Sequence, residues 1–212
     1  MNCCQCQGLE ELFSEEYVAK EIANYRSHGP DKTTRMLIDM LKKQDVKELT
    51  LLDIGGGVGA IQHAMLQAGV QRTTDIEASA AYLAAAKTES ERRGFAERTY
   101  YEHGNFVDLA EHLQPADIVT LDRVICCYPD MEKMVRLSAA RANKLYGLVY
   151  PRDVWWMKIG VAIGNFFFRL QGNPYRAFVH PSEAVEAIIM RNGFKRSSYK
   201  RTVAWQVILY MR

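Results

Sequence analysis

A glycine-rich loop is the feature of this sequence best suited to chemistry. It runs Gly55-Gly56-Gly57-Val58-Gly59, between a short apolar stretch and a helical pattern that begins at Ala60. A nucleotide-binding loop needs this strand–loop–helix context, because glycines let the backbone approach a ligand closely and the helix N-terminus presents N–H groups. Gly55, Gly57 and Ala60 also satisfy the dinucleotide pattern G-x-G-x-x-A, so a nicotinamide-dinucleotide-binding oxidoreductase is one candidate.

Two carboxylates near the loop favour a different ligand. Asp53 stands two residues before the first glycine, where it would repel the pyrophosphate that a dinucleotide brings to the helix N-terminus. S-adenosylmethionine (SAM) has no phosphate, and it presents ammonium and sulfonium groups that an acidic loop would attract. Glu77 is expected at the end of the second strand, to accept hydrogen bonds from the ribose or to complement the dipole of the next helix. Asp75 is the alternative, but it comes too early in the strand alternation.

The elements that must hold these residues alternate between strands and helices. Two amphipathic helices are predicted first, over 15–26 and 31–43. The later strands are predicted at 49–54, 72–76, 98–103, 117–121, 145–150, 194–202 and 204–211, and the later helices at 60–68, 78–93, 131–143 and 181–192. The last two strands leave no room for a crossover helix and should form an antiparallel hairpin. The predicted fold is α/β and Rossmann-like, with a seven-stranded, mostly parallel sheet that ends in an antiparallel C-terminal hairpin.

This pattern also divides the chain. Residues 1–48 are predicted to be an N-terminal helical segment with a cysteine-containing tail. Residues 49–212 are predicted to form the ligand-binding domain, with an aromatic insert at 153–179.

Four segments resemble the motifs of class I SAM-dependent methyltransferases. The sequence LLDIGGGVG resembles the first motif of the family, and 76–79 its second-strand element, with Glu77 at the acidic position. The turn at 103–106 resembles the adenine-contacting turn, although Asn105 replaces the more common Asp. Residues 117–122 resemble the fourth strand, and the likeness extends over roughly 49–212.

The resemblance implies SAM as cofactor, S-adenosylhomocysteine (SAH) as its product, and in-line displacement of a methyl group as the reaction. Placement of the reactants can lower much of such a barrier, so no catalytic triad is needed. A SAM-binding module that performs no methyl transfer would keep the same glycines and stays open as an alternative. The cofactor-binding residues implied are Asp53, Gly55, Gly56, Gly57, Gly59, Glu77, Ala78, Asn105, Phe106 and Asp122.

The aromatic insert indicates the acceptor. Its apolar stretch, 154–168, is too short to span a membrane, but it could cover a pocket, contact a membrane surface peripherally, or simply pack on the sheet. We expect a small, apolar or aromatic acceptor enclosed by this segment. Residues 175–180 also resemble the corresponding part of magnesium-protoporphyrin O-methyltransferases, although no tetrapyrrole is assigned from that likeness. The candidate substrate-binding residues are Arg123, Arg152, Trp155 and Trp156.

The catalytic candidates are Tyr150 and His180. Tyr150 and Arg152 follow the fifth strand and should face the same mouth as Asp122 and Arg123. His180 could act as a general base, because imidazole titrates near neutral pH, or it could cap the helix that follows. If the insert only packs on the sheet, the acceptor site should instead be sought at Tyr17, Tyr25 and Arg26 of the first helix.

Composition limits the remaining classes. The chain has 212 residues, 48% of them hydrophobic and 25% charged, with a formal net charge of +2, as expected of a soluble globular domain without a nucleic-acid-binding face. No secretory signal is visible, so a cytoplasmic location and reduced cysteines are expected. Cys3, Cys4 and Cys6 lack the paired spacing of a zinc site. We therefore expect no metal site at these cysteines, and a flexible or lightly packed N-terminal tail.

Overall fold

The computed structural model describes residues 4–212, with side chains from Gly8 onward. The helices are α1 (Cys4–Leu12), α2 (Glu15–His28), α3 (Lys32–Leu41), α4 (Ala60–Gln67), α5 (Ala80–Arg92), α6 (Phe106–Leu109), α7 (Met131–Ala140), α8 (Trp155–Leu170) and α9 (Ser182–Arg191). The strands are β1 (Thr50–Ile54), β2 (Arg72–Glu77), β3 (Thr99–His103), β4 (Ala116–Asp122), β5 (Ala142–Pro151), β6 (Lys195–Arg201) and β7 (Trp205–Met211). None of the helices described is long and apolar enough to cross a membrane.

The strands form one seven-stranded sheet in the order β3-β2-β1-β4-β5-β7-β6. Strands β1 to β5 pair in parallel, whereas β7 runs antiparallel to both β5 and β6. This confirms the predicted α/β fold class and its C-terminal hairpin. The strand order reverses between β1 and β4, and ligands of such sheets bind outside the carboxyl ends of the strands at that point.

Helices cover both faces of the sheet, because neighbouring residues of the buried strands point to opposite sides. In β1, Leu51 belongs to the core under α3 and α4, and the next residue, Leu52, belongs to the core under α7 and α9. Both leucines are almost completely buried. The sheet is therefore held rigidly on both sides, and its carboxyl end is a firm base for a binding site.

The N-terminal helices pack beside α5. A helix occupies Cys4–Leu12, where the sequence indicated only a tail. The buried Glu89 carboxylate of α5 accepts a hydrogen bond from Nε of Arg26 in α2 at 2.8 Å, and Arg92 and Arg93 pair with the same group. This cluster ties α2 to α5. The side chains of Cys3, Cys4 and Cys6 lie outside the described residues.

Candidate cofactor and acceptor site

A cavity of about 500 Å³ opens at the carboxyl ends of β1, β2 and β4. Its volume lies in the range typical of small-molecule sites. The glycine loop lines the cavity, and α1, α2 and α8 contribute mostly apolar side chains to it. The cavity therefore lies where the strand order reverses, as the fold class predicts.

The glycine loop has a backbone that other residues would adopt only with strain. Gly57 has a φ of 57°, in the left-handed region that favours glycine. A Cβ added to Gly57 would face the cavity, and the nearest atom, Cε1 of Tyr82, would be 3.9 Å away. At Gly56 a Cβ would instead collide with Nε2 of Gln62 and the carboxyl group of Asp75. Gly57 is therefore open towards the cavity, whereas Gly56 has no room for a side chain.

Asp53 is a buried carboxyl group on the floor of the cavity. Its Oδ1 accepts a hydrogen bond from Oγ1 of Thr120 at 2.6 Å, and its Oδ2 accepts one from Nε2 of Gln62 at 3.3 Å. Burial raises the pKa of Asp53 to about 7, although both hydrogen bonds lower it. The carboxyl group therefore changes its charge near neutral pH.

Glu77 and Asp75 have different surroundings at the end of β2. Glu77 lines the cavity, and its two carboxylate oxygens accept hydrogen bonds from the backbone N–H groups of Gly57 at 3.0 Å and Ser79 at 2.9 Å. Asp75 is fully buried behind the loop and accepts from the N–H of Gly56 at 3.2 Å. Burial raises the pKa of both carboxyl groups. Of the two, Glu77 has the position expected of a ribose ligand.

Ala78, Asn105 and Phe106 line the side of the cavity next to Glu77. Asn105 caps α6, because its Oδ1 accepts a hydrogen bond from the N–H of Val107 at 3.2 Å. Its Nδ2 donates to Oδ2 of Asp108 at 3.1 Å. The capping bond fixes the turn that follows β3, so this part of the wall is rigid.

Asp122 and Arg123 line the cavity at the end of β4. The partly buried Asp122 accepts a hydrogen bond from Oγ1 of Thr34, and Arg123 pairs with Asp31. Arg123 has a φ of 62°, an uncommon conformation for a residue with a side chain. The backbone N–H of Arg123 donates to the carbonyl of Val149 at 2.8 Å, which ties the turn to β5. These contacts connect the rim of the cavity to the N-terminal helices.

Tyr150 and Arg152 do not face this mouth, so that expectation was wrong. They line a separate cavity of about 320 Å³ beside α9 and β6. Tyr150 extends from the face of β5 that packs against α9, and Pro151, the next residue, reaches the main cavity instead. Because the two faces of a buried strand are both apolar, the sequence does not indicate which one carries the functional side chain.

The insert covers the cavity with different residues from those expected. Helix α8 lines the cavity with Met157 and Val161, whereas Trp155 and Trp156 are not part of the lining. Trp155 is 72% exposed on the outer surface of the helix. Since each residue turns the helix by about 100°, Met157 and Val161 share a face that Trp155 cannot reach. The prediction that Trp155 and Trp156 bind the acceptor was therefore wrong.

His180 is buried and bonded to the backbone. Its Nε2 lies 2.8 Å from the carbonyl oxygen of Ile125 and 3.1 Å from that of Tyr128. A carbonyl oxygen only accepts, so Nε2 carries the proton. Burial lowers the pKa of His180, which keeps the ring neutral. The ring stacks on Phe178, a residue that lines the cavity. This geometry supports a positioning role for His180 more than a role as base.

Residues from the N-terminal helices also form part of the site, and of these the sequence analysis named only Tyr17, as an alternative acceptor residue. Leu9, Phe13, Tyr17 and Glu21 all line the cavity. Tyr17 and Glu21 are four residues apart on α2 and therefore share a face of that helix, whereas Phe13 lies in the break between α1 and α2. Tyr25 instead lies next to His63 in the buried interior, away from the lining.

The β4–α7 connection adds a second unpredicted group. Cys126 and Cys127 line the cavity together with Tyr175. The Sγ of Cys127 lies 3.1 Å from the hydroxyl oxygen of Tyr175. No sequence pattern indicated this group, because the three residues are brought together only by the fold.

Comparisons with known proteins agree with this geometry. Residues 52–149 match the family model of a methyltransferase domain. The magnesium protoporphyrin IX methyltransferase (ChlM) of Synechocystis PCC 6803, solved with bound SAH, is similar at a TM-score of 0.72 and 17% identity, over 98% of this chain and 99% of that chain. No curated protein matches the sequence.

Two further solved structures show the range of proteins with this fold. The O-methyltransferase family 2 protein of Planctomyces limnophilus DSM 3776, in complex with apigenin, has a TM-score of 0.68 at 15% identity, over 94% of this chain and 62% of that chain. The [4+2]-cyclase SpnF has a TM-score of 0.67 at 11% identity, over 96% of this chain and 94% of that chain. Similarity at these identities describes the fold and does not identify a substrate.

Proposed function

We propose that the chain is a class I SAM-dependent methyltransferase that methylates a small, largely apolar or aromatic acceptor held in the same cavity as the cofactor. The family-model match over residues 52–149 supports this assignment over the nicotinamide-dinucleotide alternative. The observation that carries the proposal is that α1, α2 and α8 contribute mostly apolar side chains to the cavity that the glycine loop lines. Small-molecule sites have mostly apolar walls with a few polar groups that fix orientation.

The charges around the loop fit a cationic cofactor. Asp53, Asp75 and Glu77 are all buried, and their hydrogen-bond partners in the described chain are a hydroxyl, a side-chain amide and backbone N–H groups, all neutral. Buried carboxylates without a cation are costly. We assign to Asp53 the attraction of the cationic end of SAM and to Glu77 the ribose hydroxyls, while the glycines allow close approach.

We assign to the chain the role of holding the acceptor and SAM in position for methyl transfer. When bound, SAM supplies an electrophilic methyl group that an acceptor nucleophile displaces in line. Met157, Val161, Phe13 and Tyr17, which all line the cavity, would enclose the acceptor. Excluding water and fixing the approach of a nucleophile can lower a barrier without a dedicated base.

The acceptor wall gives a direct test. We expect the double variant Met157→Ala/Val161→Ala to raise the acceptor KM about tenfold or more, because each lost methylene removes about 0.8 kcal/mol of apolar contact. The acceptor would come from a screen of apolar aromatic compounds, including apigenin and magnesium protoporphyrin IX, with SAH release as the readout. The SAH Kd should stay within twofold of the parent value.

A control on the same helix is Trp155→Ala/Ile163→Ala, because both side chains point outward from α8. This variant should leave the acceptor KM unchanged. An unchanged KM in the inner variant, or an equal increase in both, would place the acceptor elsewhere.

The raised pKa of Asp53 predicts a pH dependence of cofactor binding. If binding needs the ionised carboxylate, affinity for SAH should rise about tenfold between pH 6 and pH 8, because the pKa is about 7. Stability of the free protein should change in the opposite direction. A carboxyl pKa raised by folding stabilises the fold at acid pH, and this contribution is lost as pH rises through 7.

Calorimetric titration with SAH across this range measures the effect. Asp53→Asn keeps the shape of the side chain and should flatten the pH dependence. An equally steep dependence in the Asp53→Asn variant would show that another group controls binding.

His180 gives a separate test of positioning against catalysis. His180→Ala would remove the hydrogen bonds from Nε2 to the carbonyl oxygens of Ile125 and Tyr128, and a typical lost hydrogen bond costs about 0.5–1.5 kcal/mol. We expect a melting temperature several degrees lower and a pH profile of kcat with unchanged shape. His180→Gln, which keeps a donor, should recover part of the stability. Loss of a titrating limb from the kcat profile would instead identify His180 as the base.

One alternative has a specific observation in its favour. The [4+2]-cyclase SpnF shares this fold over nearly the whole chain. A protein with this fold can therefore carry the name of a cyclase and not of a methyltransferase. A chain that only binds SAM would bind SAH normally and release none from SAM with any acceptor of the panel. Acceptor-dependent SAH release would exclude this alternative.

A further inference from the structure

Helix α8 presents an apolar face that nothing in the described chain covers. Six large apolar side chains on this helix are between 52% and 72% exposed: Trp155, Ile159, Ile163, Phe166, Phe167 and Leu170. No residue of the helix is fully buried. Contiguous apolar surface of this kind usually marks a binding surface rather than the ordinary exterior of a protein.

The exposed residues form one stripe. At about 100° per residue, the six side chains fall within roughly one third of the helix circumference. Met157 and Val161, which line the cavity, lie on the opposite side, together with Phe168, whose ring packs edge-on against Tyr175. The helix therefore separates the cavity from the exterior, with one apolar face towards each.

The charges of α8 have one sign. Between Trp155 and Leu170 the only charged residues are Lys158 and Arg169, and the helix contains no acidic residue. Both cations are exposed, and on the helical wheel they lie together at one border of the apolar stripe. Lys158 also forms an ion pair with Asp153, just before the helix. Cations that border a stripe of Trp, Phe and Leu are typical of helices that lie in a membrane interface.

We propose that α8 docks this protein onto an anionic lipid surface, with the helix parallel to the membrane and the stripe inserted among the acyl chains. With 16 residues, α8 is shorter than the roughly 20 residues that a spanning helix needs. Docking would hold the wall of the cavity formed by Met157 and Val161 at the lipid boundary, where apolar molecules partition.

The size of the stripe favours a membrane over a second copy of this chain. The helix is about 24 Å long and 10–12 Å wide, so one third of its surface is on the order of 300 Å². Two copies joined through this face would bury well below the roughly 1,200 Å² of a stable interface. Acyl chains, by contrast, can cover an isolated convex helix without a complementary shape.

Vesicle co-sedimentation tests the proposal. We expect the full chain to bind vesicles of phosphatidylcholine with 30% phosphatidylglycerol, and to bind pure phosphatidylcholine at least fivefold more weakly. Added salt should reduce binding to the anionic vesicles, because exposed charges are screened. The emission of Trp155 should shift to shorter wavelength when it enters the lipid, and Trp155→Phe identifies its share of the signal.

Phe166→Ser/Phe167→Ser should weaken vesicle binding at least tenfold, because it removes two side chains from the stripe. The matched control is Tyr100→Ser/Met190→Ser, which removes two exposed apolar side chains from β3 and α9 and should bind vesicles as the parent does. Both variants should bind SAH normally, so the result is independent of the proposed methyl transfer.

Three results would overturn the proposal. They are absence of binding to anionic vesicles, equal weakening in the control variant, and a concentration-dependent dimer in sedimentation velocity that Phe166→Ser/Phe167→Ser abolishes. The last result would assign the stripe to a second copy of the chain.

Discussion

Gly57→Val is expected to weaken SAH binding more than a hundredfold while the rest of the fold persists. Gly57 has a φ of 57°, which a β-branched residue adopts only with strain. The space beyond its Cα is open cavity as far as Tyr82, so the valine side chain would occupy the volume where the cofactor must approach the loop. The N–H of Gly57 also bonds to Glu77, and a shifted loop would displace that carboxylate. Calorimetric titration with SAH measures the loss.

A matched variant separates strain from occlusion. Gly94 has a φ of 74° and lies outside the cavity lining, and a Cβ added there would meet no atom within 4 Å. Gly94→Val should therefore show a similar conformational cost with unchanged SAH affinity. Parent-like SAH affinity in a folded Gly57→Val protein would mean that the cofactor binds elsewhere.

Glu77→Ala is expected to weaken SAH binding by roughly ten- to a hundredfold. A hydrogen bond to a charged group contributes about 1.5–3 kcal/mol, and Glu77 is the buried carboxylate that lines the cavity at the end of β2. In the free protein its oxygens accept from the N–H groups of Gly57 and Ser79. Part of the lost SAH affinity should therefore come from a less ordered loop. Calorimetry should show the change as a smaller binding enthalpy.

Asp75→Asn is the comparison, because Asp75 lies two residues earlier and behind the loop. It keeps the side-chain shape and should change SAH affinity much less than Glu77→Ala. If Asp75→Asn shows the large loss and Glu77→Ala does not, the cofactor uses the other carboxylate of β2.

The predicted site residues that lie at the cavity are those governed by local spacing. The loop from Gly55 to Val58 lines the cavity between a strand and a helix, whereas Gly59 does not, and Glu77 faces the cavity while Asp75 does not. The position of the loop follows from the glycines between two regular elements, and the orientation of Glu77 follows from the two-residue period of a strand. Neither depends on residues far away in the sequence. The antiparallel hairpin was predictable for the same reason, because a short connection admits no crossover.

The parts that the sequence did not predict depend on how elements pack. Tyr150 was placed at the wrong cavity because both faces of β5 are buried and apolar. Trp155 was assigned to the acceptor as part of the aromatic insert, yet the orientation of α8 turns Met157 towards the cavity instead. The contribution of Phe13 depends on the packing of α1 and α2 against α5, which includes its own edge-on contact with Tyr82. Such contacts join residues far apart in sequence, so no local pattern contains them.

Binding of SAM through the glycine loop is tested most directly by calorimetry with SAH and NAD on the same preparation, with thermal unfolding as a second readout. We expect SAH to bind at one site per chain and to raise the melting temperature with concentration, as a ligand of the folded state must. We expect NAD to produce neither heat nor a shift, because Asp53 would oppose its pyrophosphate. Stabilisation by NAD without any response to SAH would show that the loop does not bind SAM.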